Sequence, residues 1–258
     1  MLIGIPFDGQ SSYLRGPAEA PGKIREALAC DAANNWSELG VDLGSSGAYG
    51  DSGDLTLSDK NAFEVIESEI GKLIDEGKRP VSLGGDHSIT YPLVKAFAKR
   101  YRELTILHFD AHPDLYDEFE GNRLSHACPF ARIMEAGLAK RLVQIGIRTM
   151  NGHQREQARK FGVEVVEMRA LPAYEKLKAD GQVYVTFDMD VLDPSCAPGI
   201  SHREPGGMTI REAIAHLHAI EGDIVGADVV EYNPVRDIDG LTATVAAKIV
   251  KEVLGIMR

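Results

Sequence analysis

Cysteine is scarce in this sequence, with Cys30, Cys128 and Cys196 far apart among 258 residues and no CxxC pair. An odd, unclustered set excludes a disulfide framework or a zinc ribbon and points to a reducing cytoplasm. Positive charge is also short: 28 Lys and Arg face 39 Asp and Glu, a formal net charge of −11. Phosphate binding wants a basic surface, so nucleic acid is not an expected partner. No apolar run reaches the roughly 18–20 residues needed to cross a bilayer. The opening MLIGIPFDG has neither the positive start nor the small-residue cleavage site of a signal peptide, so neither membrane nor export is expected. Internal repeats, low-complexity tracts and Pro/Ser-rich linkers are missing too, which makes 1–258 a single domain in expectation.

What is present alternates. Short β-type runs at Leu2–Ile5, Pro80–Leu83, Leu104–Phe109, Leu142–Gly146, Val163–Val166, Val183–Phe187 and Ile224–Val230 are separated by helical patterns. Alternating strands and helices predict βα units around a mainly parallel sheet. The clearest helix is expected over Asp59–Glu76, with Ala62, Val65, Ile66, Ile70, Leu73 and Ile74 on one stripe, Ser58 as N-cap and Gly77 past the end. Thr209-Ile-Arg-Glu212 reads as a capping box, and Leu241–Ile256 as a closing helix. The Gly/Ser-rich stretch from Leu43 to Leu57 reads as a surface loop.

Four of the strand runs end in polar clusters: GGDHS (Gly84 to Ser88), DAHPD (Asp110 to Asp114), DMDVLDP (Asp188 to Pro194) and EYNP (Glu231 to Pro234). In a parallel sheet all carboxyl ends lie along one edge, so these clusters are expected to meet. Asp110, His112 and Asp114 are two apart, as are Asp188 and Asp190, which sends their side chains off one face of an extended segment. Such a set can hold two divalent cations bridged by carboxylates. A lone DxD is usually a solvated strand end, and a lone His87 is usually packed; it is their conjunction at three strand ends that favours metal. Four carboxylates and two imidazoles (His87, Asp110, His112, Asp114, Asp188, Asp190), without thiolate, favour Mn²⁺ over Zn²⁺.

These residues resemble the signature regions of the ureohydrolases, the family of arginase, agmatinase, guanidinobutyrase, proclavaminate amidinohydrolase and formimidoylglutamase. The likeness rests on GGDHS, FDAHPD, FDMDVLDPSCAPG, EPGG (Glu204 to Gly207) and VVEYNP, and runs from IGIPFDG to the last helix. It implies a three-layer α/β/α fold with about eight mainly parallel strands. It further implies two Mn²⁺ per chain that activate water, one held by His87, Asp110, Asp114 and Asp188, the other by His112, Asp110, Asp188 and Asp190. By the same resemblance Glu231 pairs with a guanidinium and His126 shuttles a proton, and the chain is a homo-oligomer, a trimer or hexamer.

The substrate is then a small guanidino compound split to urea and an amine. ISHR (Ile200 to Arg203) stands where many relatives have TGTP, so His202 and Arg203 become candidate substrate contacts, along with Asn122 and Ser125. Three acids near the expected pocket mouth, Asp117, Glu118 and Glu120, against one arginine, Arg203, lean toward the amine tail of agmatine. Arginase, guanidinobutyrase and formimidoylglutamase activities are the alternatives. A dinuclear phosphoesterase would need a GNH asparagine ligand, but Arg123 follows Gly121-Asn122. A non-catalytic metal-binding regulator would lack His126 or a ligand, and all are present.

Overall fold

A computed structural model describes residues 1–173 and 177–258. Its strands are β1 (Leu2–Gly4), β2 (Asp51–Asp54), β3 (Val81–Leu83), β4 (Thr105–Phe109), β5 (Arg141–Ile147), β6 (Glu164–Glu167), β7 (Leu177–Asp188) and β8 (Ile220–Val230). They form one sheet in the order β2-β1-β3-β8-β7-β4-β5-β6, and all seven neighbouring pairs run parallel. The helices are α1 (Ala20–Leu28), α2 (Ala62–Asp75), α3 (Thr90–Arg100), α4 (Pro129–Glu135), α5 (Gly152–Phe161), α6 (Ile210–His218) and α7 (Leu241–Ile256).

Two apolar clusters make the layers. Ile24 of α1, Leu217 of α6 and Val250 of α7 share one cluster with Leu83, Leu107 and Val185 of the sheet. Ile66 of α2, Phe97 of α3, Phe130 of α4 and Ala158 of α5 share the other with Ile3, Ile106 and Tyr184. Helices thus cover both faces, as the three-layer expectation holds. Central strands such as β4 are buried on both sides, which is why they read as mainly apolar runs rather than alternating ones.

The α2 stripe buries Ala62, Ile66, Ile70 and Ile74 at i, i+4 spacing, and each isoleucine contributes about 1.5–3 kcal/mol by leaving water. Gly77, at φ 74°, ends the helix: its amide donates to the Ile74 carbonyl and the Lys78 amide to that of Leu73. That crossed pair is a left-handed C-terminal cap, a conformation glycine adopts without Cβ strain. The start differs from expectation. Ser58 is not the N-cap; its hydroxyl donates to Asn61 Oδ1 at 2.6 Å, closing a turn before the helix, and Asn61 occupies the cap position. Thr209 and Glu212 form the expected capping box at α6. α7 has the expected bounds.

β2 corrects the reading of Leu43–Leu57 as loop. Its sequence DSGD is exposed throughout, so no apolar alternation announces it. It is held at the sheet edge by pairing with β1 and by Arg25 of α1, whose guanidinium meets both Asp51 and Asp54.

The order of the sheet positions the chemistry. β3 and β4 are consecutive in the chain, yet the sheet separates them by two places, filled by β8 and β7. Every strand that ends in a polar motif is therefore central, and the four carboxyl ends are side by side where the direction of winding reverses.

Candidate active site

β3 delivers His87 through Gly84 and Gly85. A Cβ at Gly85 would land on the Phe7 carbonyl, so the GG pair lets the chain pass tightly against the loop after β1. The turn is pinned by Asp86, whose carboxylate accepts from the amides of Ser88 (3.1 Å) and Gln10 (2.9 Å). β4 delivers Asp110, His112 and Asp114, and β7 delivers Asp188 and Asp190. Asp114 and Glu231 sit at φ 46° and 62°, costly for residues with a Cβ. Strain of this kind, about 1–3 kcal/mol, persists where surroundings hold a side chain to a task.

The six residues converge in two nests. His87 Nδ1 lies 3.1 Å from Asp110 Oδ2, 3.2 Å from Asp114 Oδ2 and 3.2 Å from Asp188 Oδ2. His112 Nδ1 lies 2.9 Å from Asp190 Oδ2 and 3.4 Å from Asp110 Oδ1. Asp110 thus turns one oxygen to each nest. His87 Nε2 is already bonded to Thr186 Oγ1 at 2.9 Å, and Thr186 donates to buried Asp228 at 2.6 Å. Nδ1 is buried without a hydrogen-bond partner of good geometry, although three carboxylate oxygens surround it. An imidazole nitrogen and three anionic oxygens facing one point ask for positive charge there.

The ionisation of the cluster says the same. Burial, with Asp190 and Asp110 beside it, drives the Asp188 carboxyl well above its usual range. Asp190 is pushed to about 6, by burial first, against the pull of His112. His87 and His112 are forced the other way from burial, held protonated by the acids around them. Protons are standing in for positive charge that divalent ions would supply, and oxygen-rich donors with two imidazoles suit such ions.

Sequence reasoning missed His108. It is fully buried on β4, and its Nε2 contacts Asp110 Oδ2 at 2.7 Å. Gln144 of β5 donates to His108 Nδ1 (3.0 Å) and to the Pro113 carbonyl (2.5 Å), which places the His108 proton on Nε2, aimed at Asp110. The signal was available: His108 precedes Asp110 by two and shares its strand face.

Glu231 and His126 are paired. His126 Nδ1 is 2.8 Å from Glu231 Oε1, which also accepts from the His87 amide at 2.9 Å. Burial raises the Glu231 pKa, but His126 and the His87 amide outweigh it and keep the carboxylate ionised. Burial disfavours the His126 imidazolium, yet Glu231 outweighs that and lifts the pKa to about 9. On the other side of the ring Nε2 meets Ser12, with the hydroxyl at 2.8 Å and the amide at 3.2 Å. The amide donates to Nε2 when the ring is neutral, and the hydroxyl accepts when Nε2 is protonated, so both states have a partner. Ser12, too, was invisible in the sequence, lying in a loop over a hundred residues from His126.

A cavity of about 230 Å³ opens over these groups, lined by Ser12, His112, Asp114, Tyr116, Phe119, His126, Ala127, Thr149, Gln154, Asp188, Asp190, His202, Glu204 and Glu231. Of the four candidate substrate contacts, only His202 lines it. Its ring sits between His112 and His126, at 5.9 and 5.3 Å. Asn122 is exposed and donates to Gln10 Oε1; Ser125 is buried beneath its own turn, the Ala127 amide reaching its hydroxyl at 3.4 Å. Arg203 turns away to the carbonyls of Pro198 and Arg236. Asp117, Glu118 and Glu120 do not line the cavity either, and Asp117 is taken up by Arg123 and Arg132.

A match to the arginase family model extends over residues 1–255. The chain belongs to the arginase family. Among arginase-family relatives, a mitochondrial arginase of Medicago truncatula is 49% identical over 99% of this chain and 81% of its own. An agmatinase of Bacillus anthracis is 36% identical over 98% of this chain and 90% of its own. The solved arginase from Medicago truncatula superposes with a TM-score of 0.95 at 48% identity, covering 99% of this chain and 86% of that one. The ureohydrolase resemblance read from the motifs is therefore correct, and the chain is a hydrolase of the arginase family.

Proposed function

We propose that this chain is a di-manganese ureohydrolase that splits L-arginine into urea and ornithine. The observation that carries the two-ion reading is Asp110, whose two oxygens face His87 and His112 separately. His87, Asp110, Asp114 and Asp188 would hold one ion, and His112, Asp110, Asp188 and Asp190 the other. When bound, the ions lower the pKa of water enough to supply a nucleophile at neutral pH.

The chain's own groups do the rest. Glu231 Oε1 is fixed by His87 and His126, which leaves the other carboxylate oxygen for a guanidinium N–H. That contact orients the guanidinium carbon over the ligand cluster. The buried walls exclude bulk water and strengthen the charge pairing. His126, with Nε2 at the cavity, delivers a proton to the departing amine nitrogen.

Arginine rather than agmatine is favoured by the plant relatives, whose arginases at 48–49% identity share more with this chain than the Bacillus agmatinases do at 36%. The charge count that leaned toward agmatine loses its basis, because none of the three acids, nor Arg203, faces the cavity. Urea release with Mn²⁺ from arginine, agmatine and 4-guanidinobutyrate tests the reading. Arginine should give the highest kcat/KM; a clear preference for either of the others rejects it and leaves the family membership untouched.

A further inference from the structure

The cavity has one acid that neither the ligand cluster nor the guanidinium contact uses. Asp114, Asp188 and Asp190 belong to the cluster and Glu231 to the guanidinium, which leaves Glu204 on the wall. It is half-buried, and its carboxylate has no hydrogen bond or ion pair among the described residues. Arg148 does not neutralise it, since that guanidinium is fully committed to backbone carbonyls. It donates to the Glu204 carbonyl at 3.0 and 2.7 Å and to those of Asp190 (2.7 Å) and Val191 (3.2 Å). The same arginine therefore ties the backbone of Glu204 to the turn that presents Asp190. An unpaired carboxylate, partly out of water and braced against the reactive centre, is a fixed seat for positive charge.

We propose that Glu204 binds the α-ammonium of the amino-acid substrate and so selects arginine over guanidino compounds with only an anionic tail. This rests on the ureohydrolase reading above. Glu231 takes the cationic guanidinium at the inner end, and Glu204 takes the second cation of the same molecule at the outer end. An arginine molecule, with a positive group at each end, then meets an acid at each end of the cavity. A substrate with a carboxylate and no ammonium meets like charge at the same place.

The test pairs arginine with 5-guanidinopentanoate, which is arginine with the α-ammonium replaced by hydrogen. In Mn²⁺-loaded protein, Glu204→Gln should lower kcat/KM for arginine about 10–100-fold, the usual effect of removing the charged acceptor of an ammonium, with the change in KM rather than kcat. The same variant should be inhibited more strongly by 5-guanidinopentanoate than the wild type is, because repulsion of its carboxylate is relieved. Gln keeps the backbone carbonyl that Arg148 holds, so circular dichroism and metal content should match the wild type. An equal loss toward both compounds, or a loss confined to kcat, overturns the assignment of Glu204 while leaving the ureohydrolase reading intact. Wild-type protein that releases urea from no guanidino compound overturns both.

Discussion

Glu231→Gln separates charge from shape at the deepest point of the cavity. Gln keeps an oxygen where Oε1 accepts from the His87 amide at 2.9 Å and from His126 Nδ1 at 2.8 Å. The fold and the His87 turn should therefore persist, including the φ of 62° at this position, which either side chain must endure. What changes is the outer atom: an amide NH₂ replaces the free oxygen and faces the N–H groups of a guanidinium, donor against donor. Removing one charged partner of a buried pair costs about 3–5 kcal/mol. At 1.36 kcal/mol per decade this is a fall of roughly 10²–10⁴ in kcat/KM for arginine. Loss of the anion should also let the His126 pKa fall from about 9, since Glu231 is the leading group that holds it up. Urea release against pH, alongside manganese content, reads both effects. A variant within 10-fold of wild type, or one that loses its metal, would refute the guanidinium role, because Glu231 contacts ligand backbone and His126 but is not a proposed ligand.

His126→Asn should retain metal and fold while slowing kcat by about 10²–10⁴-fold, and near-normal turnover would remove it from proton transfer. Asp188→Ala should empty both metal positions, whereas Asp190→Ala should mainly weaken one; elemental analysis finding equal losses contradicts the two-nest geometry. In chelator-treated protein the raised His126 pKa gives stabilisation that is complete below about pH 6.5 and lost as pH climbs toward 9, and the raised pKa values of His87 and His112 act in the same direction. Tm should fall across that window without metal and rise across it with Mn²⁺, whose ligands must be deprotonated to bind; parallel pH profiles would contradict the metal reading.

The sequence disclosed the strands that are buried and the ligands that follow them, because both have periodic signatures. β4 and the turn after it, LTILHFDAHPD, carry an apolar run and a two-residue spacing that survive any tertiary context. β2 was hidden because DSGD owes its extended form to an edge pairing and to Arg25 rather than to its own side chains. The first residues of β7 and β8, from Leu177 and Ile220, were hidden for a similar reason: polar residues interrupt the apolar pattern, while the parallel ladder resumes across a register shift between Lys178 and Gln182. At the pocket mouth, counting charges failed outright. Which way Asp117 or Arg203 points is decided by Arg132 and by the Pro198 carbonyl, partners that spacing along the chain does not reveal.

The two places that β8 and β7 occupy between β3 and β4 make assembly of the site an ordered event. Until residues beyond 188 are available, the GGDHS and DAHPD turns have no shared sheet, and each exposes part of an acid-and-imidazole cradle. Pairings this distant along the chain form slowly, since loop closure must precede the contacts that repay it. On a ribosome the acidic halves would wait, mutually repelling, until the last central strands slide between them. On the proposed two-ion reading, capture of metal would be the final stitch in the sheet, and Mn²⁺ supplied during refolding should raise the yield of folded protein.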